Sequence, residues 1–338
     1  MSAVAAGSRS GRVVRFLSGR AEVDFIGRSR RWALVSLALV VMSLGGLGLR
    51  GLNFGIDFTG GTVFVVTDAT RDFTAEQVRD ALGDLGVEEV QAQVVEDGRG
   101  LRVSTPGVDE IGGSRQRTVL DRVAAITGVD PARVDSSAVG PRWGAEVSGR
   151  ALRGLGVFLV LVVAYITVRF ELRMAVAALV TLLHDVLVTV GVYAIVGFQV
   201  SPASVIAFLT ILGYSLYDTV VVFDRVREDT ASLSSTSTAT YGEAANRALN
   251  HVLVRSLSTS VTSLLPVGSL LFVGANLLGA DTLSDLALAL FVGMAVGTYS
   301  SIFLATPFLV WLKERESRYA ELRARVLSRR GGAAQGRA

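Results

Sequence analysis

The sequence predicts a polytopic α-helical membrane protein with six transmembrane helices and an α+β, ferredoxin-like extracytoplasmic domain between helices 1 and 2. Three observations carry this. Half of the 338 residues are hydrophobic and the mean hydropathy is positive at +0.49, a balance that lipid tolerates better than water does. Six apolar runs approach or exceed the ~20 residues needed to cross a hydrocarbon core. Between the first and second runs, strand and helix signals alternate in β-α-β-β-α-β order.

The apolar runs lie at 32–50, 151–168, 174–196, 202–223, 257–278 and 284–312. The chain accordingly divides into a basic tail (1–31), the first transmembrane helix (32–50), the outer domain (51–150), helices 2 to 6 (151–312) and a second basic tail (313–338). The first run follows Arg9, Arg12, Arg15, Arg20, Arg28, Arg30 and Arg31 and lacks a small-residue cleavage site, so it reads as an uncleaved signal anchor. Arginines also mark the Arg169/Arg173 turn, the Arg225 to Arg255 loop and the C-terminal tail, whereas the turns at 197–201 and 279–283 carry none. By the positive-inside rule both termini face the cytoplasm and residues 51–150 lie outside.

Within the outer segment, strands are expected at Thr62–Thr67, Glu89–Glu96, Gly100–Ser104 and Arg133–Val139, with helices at Thr74–Leu85 and Ser114–Ile126. Thr74 with Gln77 three residues later forms a capping-box signal, and Val119, Val123 and Ile126 share one helical face. Asp97-Gly98 supplies hairpin-turn chemistry. This order predicts a split β-α-β sandwich. No histidine, paired carboxylates or metal-ligand spacing stands out there, so a binding or pushing surface is expected rather than an active site.

The chain has no cysteine, which excludes disulfides and thiolate chemistry. Its single lysine, Lys313, ends an apolar run rather than sitting in a phosphate-binding loop, so no Walker-type nucleotide site can be drawn. No cofactor, metal or nucleic-acid partner is expected, and the chain does not read as an enzyme. An intramembrane hydrolase built on Asp185 and His184 would need a nucleophile that is not convincingly placed.

Two aspartates fall inside apolar runs: Asp185 near the middle of the third, and Asp218 in the cytoplasmic half of the fourth. Charge at such depth costs several kcal/mol and tends to mark ion pathways, about 2.5–3.5 kcal/mol on insertion scales. Both are candidates for a proton relay; the alternative is that each only hydrogen-bonds neighbouring helices. His184 points about 100° away from Asp185 on a helix and reads as a packed, hydrogen-bonded residue. Arg255, opening the fifth helix, is placed to pair with ionised Asp218 or to snorkel to the interface. Asp224, Arg225, Arg227 and Glu228 fall just beyond the fourth helix as solvated charges. The hydroxyl-rich Ser256 to Ser263 stretch and Gly293-x-x-x-Gly297 suit close helix packing. Pro266 and Pro307 are expected to break their helices locally.

Five segments in this order resemble the SecD/SecF family of the bacterial protein-export machinery, in its SecF branch, within the wider resistance-nodulation-division fold. They are Gly55 to Thr62 (GIDFTGGT), Arg169-Phe170-Glu171, His184-Asp185, Gly213 to Glu228 (GYSLYDTVVVFDRVRE) and Arg255 to Ser260 (RSLSTS). The resemblance implies proton-passage roles for Asp218 and Arg255, and Gly60-Gly61 resembles a family hinge between membrane and outer domain. Where the family commonly has Asn before the aspartate, this chain has Tyr217, which offers one hydroxyl in place of an amide. The implied partners are SecD, the SecY channel complex, the motor SecA, the translocating preprotein and the lipid bilayer. The implied function is proton-motive-force-driven assistance to late steps of export across the bacterial cytoplasmic membrane. A proton-coupled exporter of lipids or small molecules is the rival reading; such exporters usually carry about twice as many helices in one chain. A pure assembly scaffold is the other rival.

Overall fold

The computed structural model describes residues 23–87, 90–95, 99–105, 113–139, 141–233, 238–274 and 281–335. Six helices among them are long and apolar enough to cross a membrane. They are α1 (Ser29–Arg50), α5 (Pro141–Arg169), α6 (Leu172–Val196), α7 (Pro202–Ala231), α8 (Tyr241–Ser269) and a last one built in three pieces. Those pieces are α9 (Asp281–Ser300), a π-helical turn (Ser301–Ala305) and α10 (Thr306–Lys313). An amphipathic α11 (Ser317–Gln335) follows, with Leu322 and Val326 buried against the bundle.

Between α1 and α5 the chain forms β1 (Asn53–Phe54), the single-turn α2 (Ile56–Thr59), β2 (Gly61–Val66), α3 (Ala75–Gly83), β3 (Gln91–Val95), β4 (Gly100–Thr105), α4 (Ser114–Thr127) and β5 (Asp135–Val139). The four longer strands make one antiparallel sheet in the order β3-β4-β2-β5. Phe64 and Val66 on β2 and Leu101 and Val103 on β4 bury their side chains with Val78 and Leu82 of α3 and Val119 and Val123 of α4. Alternate strand residues thus meet the helix faces that the 3.6-residue period predicts. Thr74 caps α3, and Gln77 returns the hydrogen bond to the Thr74 N–H at 3.0 Å. Asp97-Gly98 and Arg9, Arg12, Arg15 and Arg20 lie outside the described residues.

A two-stranded parallel ribbon was not anticipated. Here β1 pairs with β6 (Gln199–Val200), the short link between α6 and α7. The Gly55 N–H adds a bond to the Val200 carbonyl at 2.9 Å.

Three expectations need correction. Helix α8 starts at Tyr241, so Arg255 does not open it but lies well inside, and the expected Arg225 to Arg255 loop is largely helical. Hydropathy marks where a helix enters lipid, not where its hydrogen bonding begins. The first turns of α8 are capped by a Thr240/Glu243 capping box and bury Tyr241, Ala244, Ala245, Ala248 and Leu249 against other protein segments. Asp224, Arg225, Arg227 and Glu228 likewise belong to α7, which runs on to Ala231. Pro266 does not break α8, which continues through it to Ser269.

Just ahead of α1, Asn246 and Asn250 of α8 grip an incoming strand of chain. The Val23 N–H donates to Asn250 Oδ1 at 2.7 Å, the Phe25 N–H to Asn246 Oδ1 at 2.8 Å, and both amides donate back to the Val23 carbonyl.

Candidate functional site: two carboxylates joined by serines

Asp185 on α6 is fully buried at 0% exposure. Its Oδ2 accepts from Ser215 Oγ of α7 at 2.5 Å and from Ser300 Oγ at 2.8 Å, and its Oδ1 lies 3.1 Å from His184 Nδ1. The His184 ring folds back onto its sequence neighbour despite the 100° step between them, and its Nε2 is buried with no hydrogen-bond partner among the described residues. Asp218 on α7 is half-buried. Ser256 Oγ of α8 sits 2.8 Å from each of its carboxylate oxygens, and Ser301 Oγ donates to Oδ2. Four serine hydroxyls from three helices and a π turn therefore serve two carboxylates.

Small residues make this convergence possible. A Cβ on Gly293 would fall 2.3 Å from Ile211 Cδ1, and one on Gly297 would fall 3.1 Å from Ser215 Cβ, so α9 lies directly against α7 because these positions have no side chain. That approach lets Ser215 and Ser300 reach the same oxygen. The π turn supplies the rest. Pro307 lacks an N–H and its ring conflicts with the carbonyl four residues back, at Phe303; the wider turn over Ser301–Ala305 absorbs this. Consecutive residues at the start of that turn diverge by about 100°, so Ser300 addresses α6 and Ser301 addresses α7. Single-turn π insertions are often found at functional sites.

Among the described residues, Arg255 forms no ion pair with Asp218. Its neighbour Ser256, rotated by one helical step, faces α7 instead, while the Arg255 side chain is exposed. Arg255 lines an open cavity of about 790 Å³ with Arg169, Asp224, Arg225, Arg227 and Glu228. This cavity lies at the end of the bundle opposite the outer domain. Val221 and Val252 also line it, placing its inner wall one helical turn from Asp218 and Ser256. Arg169 pairs with Asp224 at 3.1 Å there. Tyr217 is 56% exposed and belongs to neither carboxylate cluster. Gly60 and Gly61 have φ of 77° and 135°, conformations open to glycine but strained for other residues, at the junction of α2 and β2.

The profile described as "Protein export membrane protein SecD/SecF, C-terminal" matches residues 119–315, and the "SecD/SecF GG Motif" matches residues 45–67. The chain belongs to the SecD/SecF family. The SecD/SecF relatives include the protein translocase subunit SecF of Streptomyces coelicolor, 43% identical over 95% of this chain and 85% of the relative. The SecF subunit of Mycobacterium tuberculosis is 42% identical over 94% of this chain and 73% of its own length. In three dimensions the chain is similar to the crystal structure of SecDF, a translocon-associated membrane protein from Thermus thermophilus. The TM-score is 0.74 at 32% identity, over 88% of this chain and 39% of that one. The chain therefore spans about two fifths of the solved SecDF.

Of the residues singled out from the sequence, Asp185 and Asp218 enter one hydroxyl-linked region of this SecD/SecF fold, and Arg255 lines the cavity beside it. Ser300 and Ser301 were missed. The signal was present, since four consecutive hydroxyl residues, Thr298 to Ser301, interrupt an apolar run a short way before Pro307, but no pattern on one helix reveals which neighbours they face.

Proposed function

We propose that this chain is a SecF-type accessory subunit of the Sec preprotein translocase, working with SecD and using the proton motive force to promote late steps of protein export. The observation that carries the reading is the pair of carboxylates inside the membrane-spanning bundle, Asp185 and Asp218, held by consecutive serines of one helix. Asp218 takes and gives up the proton. As a carboxylate it only accepts hydrogen bonds, whereas as an acid it donates one, so a serine hydroxyl facing it must turn and accept. That exchange redraws the contacts between α7, α8 and the π turn and biases the bundle between two arrangements. A unit charge crossing 100 mV supplies ~2.3 kcal/mol per proton. The cavity holding Arg255 is the cytoplasmic approach to Asp218, and Arg255 repels a second cation while Asp218 is protonated.

In this reading the chain is a multi-pass protein of the bacterial inner membrane with both termini cytoplasmic. Residues 51–150 form an extracytoplasmic domain, and the strand order β3-β4-β2-β5 supports its ferredoxin-like assignment. Gly60-Gly61 is the joint between membrane and domain. SecD covers the α7 and α8 surface on which Tyr217, Arg255 and Ser258 are exposed, polar groups disfavoured against lipid. The SecY channel complex, SecA and the preprotein complete the partners, and the role is transport without catalysis.

The test is secretion of a reporter by cells lacking their own copy, comparing wild type with Asp218→Asn at matched membrane levels and matched SecD recovery. Secretion is expected to fall at least tenfold. Normal secretion would make Asp218 a packing residue and defeat the proton-coupled reading at this position.

A further inference from the structure

The ribbon between β1 and β6 places the link of the two aspartate-bearing helices in direct contact with the segment that carries the outer domain. Helix α6 ends at Val196, β6 follows, and α7 begins at Pro202, so this link joins the ends of the two helices that carry Asp185 and Asp218. Asn53 stands at its centre. Its backbone pairs with Gln199, and its Nδ2 donates to the Gly197 carbonyl at 3.2 Å. Its Oδ1 accepts from Gln91 Nε2 at 2.5 Å, and Gln91 is the first residue of β3, the edge strand of the outer sheet. One amide thus holds the α6–α7 link with its donor and the outer domain with its acceptor. Arg50 reinforces the membrane side by donating to the Ile195 carbonyl at 2.5 Å. Phe58 and Leu52 pack with Tyr193 and Val200.

We infer that Asn53 is the positioning residue that transmits displacement of the α6–α7 link to the outer domain through Gln91. The inference rests on the proton-coupled reading above and names the contact through which that reading reaches the domain. The covalent connection at the domain's N-terminal end is a poor transmitter, because the chain passes from α2 into β2 through two consecutive glycines at positive φ, and a joint of that kind absorbs rotation. The other covalent exit, from β5 into α5, leads directly to neither aspartate-bearing helix, whereas the Asn53 contact ties the domain to the α6–α7 link itself. The amide of Asn53 is suited to this because it donates and accepts at once; aspartate would keep the bond from Gln91 and lose the one to Gly197, and alanine loses both.

The chain has no cysteine, so spin labels can be placed singly on Asp80→Cys in α3 and Leu152→Cys in α5, both exposed positions, and their separation measured in the full-length protein reconstituted with SecD. Asp218→Asn serves as the mimic of the protonated state. In the otherwise native chain it is expected to shift the distance distribution. Adding Asn53→Ala, or Gln91→Ala, which leaves the β1–β6 ribbon untouched, is expected to abolish that shift and to lower secretion at least fivefold in the Asp218 background. If the shift survives in both variants, the Asn53 contact is not the transmitter and the inference falls while the proton-coupled reading stands. If Asp218→Asn produces no shift in the native chain, there is no displacement to transmit and both fall.

Discussion

Ser300 and Ser301 are neighbours in the chain, yet one donates to Asp185 on α6 and the other to Asp218 on α7. The junction of α9 with the π turn is therefore the place where one helix touches both carboxylates.

Separating the two bonds by mutation follows directly. Ser300→Ala removes one of two hydroxyl donors to a fully buried carboxylate and is expected to cost about 1–3 kcal/mol. Ser301→Ala, beside the half-buried Asp218, is expected to cost less in stability and more in function, with secretion down roughly threefold to tenfold, an order-of-magnitude expectation from loss of a charge-assisted bond. Thermal unfolding in detergent alongside reporter secretion checks the split; equal effects on both readouts for the two variants would show that the serines act merely as packing.

Close approach of helices sets a second expectation. A Cβ on Gly191 would meet Ser43 Cβ at 2.1 Å and the Ser43 Cα at 2.5 Å, so Gly191→Ala must push α1 from α6 and is expected to lower stability by about 1–3 kcal/mol. Gly213 meets nothing within 4 Å in this chain. Gly213→Ala should be neutral or raise helix stability by up to ~1 kcal/mol in the isolated subunit. Unfolding midpoints of the purified variants decide between these signs.

Lys313 yields a chemical prediction. It is 4% exposed and lies in an ion pair with Glu171 and 3.3 Å from Glu316. An amine-acylating reagent should therefore leave Lys313 unmodified in native micelles and modify it once the protein is denatured. Mass spectrometry of the single lysine-containing peptide reads this out, and equal labelling in both states would contradict the buried pairing.

The sequence by itself determined the elements that depend on local spacing. Six apolar runs gave six spanning helices, because a run long enough for the hydrocarbon has few other ways to satisfy its backbone. Thr74 with Gln77 gave the capped α3, and Val119 with Val123 gave the buried face of α4. Asp185 and Asp218 were legible because charge among apolar neighbours is costly wherever the helices end up packing. Tertiary structure alone decided which groups meet those charges. Ser256 rather than Arg255 reaches Asp218, since a single residue step rotates the side chain by about 100° and sequence does not say which face of α8 turns toward α7. It also decided that Asn53 would touch Gly197 and Gln91. Contacts between segments so far apart in the chain depend on how the helices close on one another, through gaps such as Gly191 and Gly293, and no periodicity within one segment encodes that.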